Sequence, residues 1–235
     1  MKITQITTLL FLSVFVLSPF FSLANKAWDD DEVRTYDVEN FQRVVLEGGY
    51  KVILEQSGKP GLRIKADEES FEYIDVDSDN GTLHVELKEK HFNFESMILY
   101  IEFEQLESLK IEGGVKLETK GYLDLNDFYL SVEGGAKIEM EMKAEEVHLQ
   151  GEGGVSYTFR GVARKMDVRL SGAGHLNAND FKTEEVAIDI EGVGGASVYA
   201  TKYLKAQIEG VGKIRYRGNP QIDKNIEGIG FVRPD

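Results

Sequence analysis

The chain of 235 residues carries 41 Asp and Glu against 27 Lys and Arg, a formal net charge of -14, and no cysteine. This acidic balance repels nucleic acid and anionic lipid and favours cations or basic partners. Without thiols there is no disulfide, no thiolate metal site, no cysteine nucleophile and no cysteine for lipid attachment. Gly is abundant (24) and Pro scarce (4), a combination that suits many turns inside continuous β structure.

Residues 1–24 read as a signal peptide. Lys2 supplies the positive start, Leu9 to Phe21 is an apolar run, and Ser22-Leu23-Ala24 offers the small residues of a cleavage site. The run is shorter than the roughly 20 residues a membrane helix needs, so export with cleavage after Ala24 and no transmembrane anchor in the mature chain is expected. Residues 25–35, with Asp29, Asp30, Asp31 and Glu32, read as a flexible acidic lead-in in which Trp28 is a loose anchor. Residues 36–235 then form a single domain.

Strands are expected over Phe41 to Leu46 and Tyr50 to Leu54, followed by a turn at Ser57 to Gly61. Leu62, Ile64 and Ala66 alternate with Arg63 and Lys65 as in a half-buried strand. Asn80-Gly81 stands between two alternating runs and reads as a tight hairpin turn. Asp77, Asp79 and Asn80 look like the start of a calcium loop, but such a loop needs further ligands and a distal Glu. Helical periodicity is absent, with Lys143 to Glu146 the single plausible helical turn.

A template, apolar-Glu-Gly-x-x-x-apolar, recurs with its Glu at 47, 112, 133, 152, 191, 209 and 227, and with Ser171 in place of Glu in one copy. From 112 onward the steps are 21, 19, 19, 20, 18 and 18 residues, the mark of a stacked β-solenoid. In the copy at 133, Leu130, Val132, Ala136, Ile138 and Met140 share one parity while Ser131, Glu133, Lys137, Glu139 and Glu141 share the other. An extended chain puts these on opposite faces. The Gly after the Glu marks a corner or a close approach of backbones.

In-register stacking lines up the carboxylates, which repel by about 1 kcal/mol per neighbour in water. Lys51, Lys116, Lys137 and Lys213, four residues after the Glu, are expected to compensate them, with His175 following Ser171. Glu152, Glu191 and Glu227 lack that lysine and are where a divalent cation such as calcium would be sought. No cofactor is assigned, and no catalytic residue. His84, His91, His148 and His175 are scattered, and the acidic pairs Glu145-Glu146 and Glu184-Glu185 read as solvated faces. No nucleophile elbow, phosphate loop or zinc helix is present.

The run Phe41 to Ile53 with its Gly-Gly step, the turn Asp79-Asn80-Gly81-Thr82-Leu83, the motif Leu170-Ser171-Gly172-Ala173-Gly174 and the closing run Gly210 to Pro220 resemble the GIN-domain family of auto-transporter adhesin heads, exported proteins of Bacteroidetes-type bacteria. The resemblance spans Tyr36 to Val232. It implies an all-β, right-handed parallel β-helix, in agreement with the period, and brings no catalytic residues. The family's usual Ser is Glu in most copies here, which makes the column acidic. A non-enzymatic binding or adhesion module is therefore expected, meeting a surface glycan or an envelope protein in the periplasm, at the outer surface or in the medium. Nucleic acid is not expected as a partner. A carbohydrate-active enzyme and a cation-binding structural protein of the envelope are the competing readings.

Overall fold

Valine, isoleucine, leucine and aromatic residues alternate with charged ones along almost the whole chain, and the chain is extended wherever they do. The computed structural model describes residues 31–88 and 97–235. The expected signal peptide, the first part of the lead-in with Trp28, and His91 lie outside the described residues. Among the described residues there are ten strands: β1 (Asp31–Tyr36), β2 (Arg43–Gln56), β3 (Gly61–Asp67), β4 (Ile74–Asp79), β5 (Thr82–Leu87), β6 (Ile98–Phe103), β7 (Ser108–Thr119), β8 (Leu123–Asp124), β9 (Asp127–Arg217) and β10 (Gln221–Pro234).

The expected right-handed parallel β-helix is corrected. The strands form one mixed sheet in the order β1-β3-β6-β2-β7-β9-β10, with β4, β5 and β8 attached to its side. Pairs β1–β3, β3–β6 and β4–β5 are antiparallel, while β2–β5, β2–β6, β2–β7, β7–β9, β8–β9 and β9–β10 are parallel. The antiparallel pairs all lie before residue 104, where the 20-residue period is absent. Strand β2 has two different partners on one side: β5 over Arg43 to Glu47 and β6 over Lys51 to Gln56. Residues 31–35, expected to be lead-in, belong to β1 and pair with β3. The Asn80-Gly81 turn between β4 and β5 has φ of 50° and 73°, as a two-residue hairpin loop requires. The Asn80 amide donates to Asp79 Oδ2 at 2.7 Å, so this acidic turn is held by its own side chains. A 3₁₀ helix, Glu68–Tyr73, was not legible in the hydrophobic pattern; the Asp67 carboxylate caps it by accepting from Ser70 N at 2.8 Å. Lys143 to Glu146 are strand, not helix.

In the parallel part the template copies pair like on like. Glu47, Glu112 and Glu133 are neighbours, as are Gly48, Gly113 and Gly134, and Glu209 and Gly210 pair with Glu227 and Gly228. Within β9 the same contact continues. A Cβ built on Gly153 would lie 2.4 Å from the Gly134 carbonyl oxygen, and one on Gly210 would lie 2.4 Å from that of Gly192. The apolar parity is buried as expected: Leu130, Val132, Ile138 and Met140 are each at most 1% exposed. Burying each such side chain contributes about 1.5–3 kcal/mol relative to leaving it in water.

Packing at the bend is complementary from copy to copy. The third residue after the Glu is Tyr50, Val115, Ala136 and Val155, then Gly174, Gly194, Gly212 and Gly230. Where it is glycine, the large residue before the Glu fills the space: a Cβ on Gly174 would meet Leu170, and one on Gly212 would meet Ile208. The copy at 152 inverts the arrangement. There the residue before the Glu is Gly151, and its place is taken by Tyr157, whose hydroxyl lies 2.6 Å from where a Gly151 Cβ would stand.

Candidate functional site

Outward residues on the amino side of the glutamates form two columns. Four residues before the Glu come Arg43, Ser108, Tyr129, His148 and Asp167; two residues before it come Lys110, Ser131, Gln150 and Arg169. Register between β2 and β7 sets Arg43 beside Ser108, and register between β7 and β9 sets Ser108 beside Tyr129 and Lys110 beside Ser131. Because every copy presents these positions at the same height on the pleat, side chains far apart in sequence share one flat face.

Tyr129 is the centre of that face. Its side chain stands 53% exposed, and its ring stacks on His148 with centroids 4.4 Å apart and planes 8° from parallel. That separation approaches the 4.7–4.9 Å between neighbouring strands. Two depressions meet at this ring. One, of about 370 Å³, is lined by Tyr129, Ser131, His148, Gln150, Asp167 and Arg169 among others. The other, of about 600 Å³, runs from Tyr129 past Ser108 and Asn126 to Gln42 and Arg43. Together they make an open trough with the Tyr129 ring at its middle and neutral, acidic and basic hydrogen-bonding groups along it. An exposed aromatic ring supplies contact area with little conformational entropy to lose, while Arg, Gln and Asp give direction. His148 Nε2 lies 3.7 Å from Glu146 Oε2.

The sequence-expected residues are distributed differently from expectation. The lysines four residues after the Glu do not compensate the glutamate column. Lys51 bridges Glu118 at 2.9 Å and Lys137 bridges Glu139 at 2.6 Å, because the bend at the glycine carries them round to another side. Two members of the column have partners on the amino side instead. Lys110 pairs with Glu112, and His84 Nε2 lies 2.8 Å from Glu47 Oε1. The Glu112 carboxylate, and more weakly Glu133 and Glu47, hold the Lys110 ammonium above its ordinary range.

Of the positions considered for a cation, Glu152 accepts from Gln150 at 3.3 Å, Glu227 accepts from Asn225 at 3.1 Å, and Glu191 is exposed. Among the described residues no three His, Asp or Glu gather as a metal site. The paired carboxylates Glu145 and Glu146 are both engaged by Arg164 from the following copy, and Glu184 is held by Lys202 at 2.6 Å. These acids are charge partners across neighbouring copies.

Sequence reasoning placed His148 on the outward side and passed over Tyr129. The signal was present: Tyr129 and His148 are 19 residues apart and occupy the same template position.

These features define an all-β domain with a polar, aromatic-centred outer face. Residues 40–220 match the family described as "Putative auto-transporter adhesin, head GIN domain", and the chain belongs to that family. Among solved structures it is similar to a "putative adhesin" from Bacteroides fragilis, with 22% identity and a TM-score of 0.82 over 88% of this chain and 98% of that one. It is also similar to a "putative lipid binding protein" from Parabacteroides distasonis, at 22% identity and TM-score 0.70 over 88% and 97% of the two chains. A "putative adhesin" from Parabacteroides merdae follows at 22% identity and TM-score 0.65, over 88% and 97%. At such identities the likeness shows the fold. No curated protein matches in sequence. No helix among the described residues is long and apolar enough to cross a membrane.

Proposed function

We propose that the chain is an exported, non-enzymatic adhesion module that holds a surface glycan in the trough centred on Tyr129. The observation that carries this reading is the half-exposed Tyr129 ring, stacked on His148 where two depressions join. A pyranose ring can set its apolar face against the side of the Tyr129 ring that His148 leaves open and its hydroxyls against Ser131, Gln150, Asp167 and Arg169, which donate and accept. The long, regular outer face and membership of an adhesin-head family support the same reading, as does the engagement of the paired carboxylates in ion pairs.

Substitution of the ring tests it. Tyr129→Ala is expected to weaken retention on immobilised bacterial surface polysaccharides at least about tenfold, as removal of a central aromatic anchor does. The unfolding temperature should be unchanged, since the side chain packs on the outside. Equal retention of the variant and the wild type would move the binding surface elsewhere.

A further inference from the structure

A second feature lies on the far side of the glycine bend, and it is independent of the glycan reading. Two residues after the Glu, the early copies have Gly49, Gly114, Gly135 and Gly154 and the copy at Ser171 has Ala173, whereas the late copies have Val193, Val211 and Ile229. These three β-branched side chains point into solvent, 61%, 48% and 74% exposed. Ile229 pairs with Val211, and Val193 stands one copy earlier, next to the close contact of Gly192 with Gly210. They form an apolar ridge, bordered by the exposed Glu191, Glu209 and Glu227. An apolar patch with a charged rim is the usual appearance of an interaction surface.

The early copies carry the counterpart. Where side chains are missing there is a groove of about 670 Å³, with Gly114, Gly135 and Gly154 in its lining and Lys51, Lys116 and Lys137 along it. The three lysines are neighbours in register. Ridge and groove have the same repeat, about 4.8 Å from strand to strand, so three side chains meet three gaps; in that register Glu191 and Glu209 meet Lys116 and Lys137, and Glu227 meets Ser156, which stands four residues after Glu152.

We propose that the ridge Val193–Val211–Ile229 of one copy seats in the Gly114–Gly135–Gly154 groove of a second copy of this chain, with Glu191 and Glu209 against Lys116 and Lys137. Charge also selects the orientation. Two facing copies whose strands stack in the same direction oppose the acidic border of one to the lysines of the other, and the reverse orientation opposes Glu to Glu. Lys137 keeps Glu139 as its partner in the free chain, and an ammonium has three donors, so it can take a second carboxylate. Ridge and groove are different patches on each copy. The contact is therefore head to tail and leaves a ridge and a groove free at the ends, which propagates into a row. A row of copies would present many binding faces at once and raise avidity without any new contact.

Sedimentation velocity over a concentration series tests this with the protein purified after export. The wild type is expected to grow in mass with concentration, less so in high salt, where charge pairing is screened. Val211→Asp should weaken association at least about tenfold, with an unchanged unfolding temperature because the side chain is on the outside. Lys116→Glu alone and Glu191→Lys alone should each weaken it, and the double variant should recover it. The proposal is overturned if the wild type stays monomeric throughout, if Val211→Asp associates like the wild type, or if the double variant is as weak as the singles. Capture of the monomer by phosphatidylcholine vesicles, abolished by Val211→Asp, would equally overturn it in favour of a lipid surface.

Discussion

Gly134→Ala is expected to destabilise the chain by about 2–4 kcal/mol, whereas Gly135→Ala, one residue on, should change stability by less than about 1 kcal/mol. Gly134 has a φ of 124°, where L side chains are strained. A Cβ there would also lie 2.4 Å from the carbonyl oxygen of Gly113. The obstructing atom is backbone and cannot rotate away. Nor can the strand shift freely, because Gly113 is in equally close contact with Gly48 below it, and Gly153 with Gly134 above. Gly135 has nothing within 4 Å of its Cβ direction. Urea unfolding of the two variants side by side measures the difference. Equal midpoints would mean that the glycines are there for flexibility and that the strands are not in close contact at the bend.

The second large effect belongs to the core. Phe159 is 1% exposed and meets Tyr157 and Phe181 edge-on, with centroids 6.0 and 5.9 Å away and interplanar angles of 61° and 64°. Phe159→Ala is expected to cost about 3–5 kcal/mol, the transfer loss and the cavity combined. Edge-to-face contacts with two rings place it toward the upper end. At about 2–4 °C per kcal/mol for a chain of this size, the unfolding temperature should fall by roughly 10 °C or more. Phe159→Leu, which keeps much of the volume, should cost about 1–2 kcal/mol. With no cysteine in the chain, nothing covalent offsets such a loss. A fall of only a degree or two for Phe159→Ala would show that the three rings do not form a packed unit.

Much of the parallel part was legible because its period and its parity are set by backbone geometry. Leu130, Val132, Ile138 and Met140 are buried as their parity requires, and the glutamates and glycines of the copies stand beside each other as their spacing requires. The Asn80-Gly81 hairpin was legible from turn chemistry alone. The antiparallel strands were not. Whether β3 pairs with β1 and β6 is decided by packing across distant parts of the chain, and a period can report only neighbours that repeat. Extending the period over the first hundred residues therefore produced an all-parallel β-helix where the chain has a mixed sheet. The ion pairs were misassigned for a related reason. Lys110, two residues before Glu112, and Lys116, four residues after it, have the same parity as Glu112, and parity does not reveal that the glycine bend separates the second from the column. Tyr129 was hidden because a single exposed aromatic carries no pattern. Only its alignment with His148 in the next copy makes a platform.

The most direct test of binding without turnover combines retention with chemistry. The purified protein is incubated with a panel of bacterial surface polysaccharides, and bound protein and released reducing or unsaturated ends are measured on the same samples. Adhesion through the Tyr129 trough predicts retention on at least one polysaccharide, weakened by Tyr129→Ala, with the polymer's chain length unchanged. Steady release of new chain ends, proportional to protein and lost with substitution of carboxylates on the outer face, would contradict it and make the chain a carbohydrate-active enzyme.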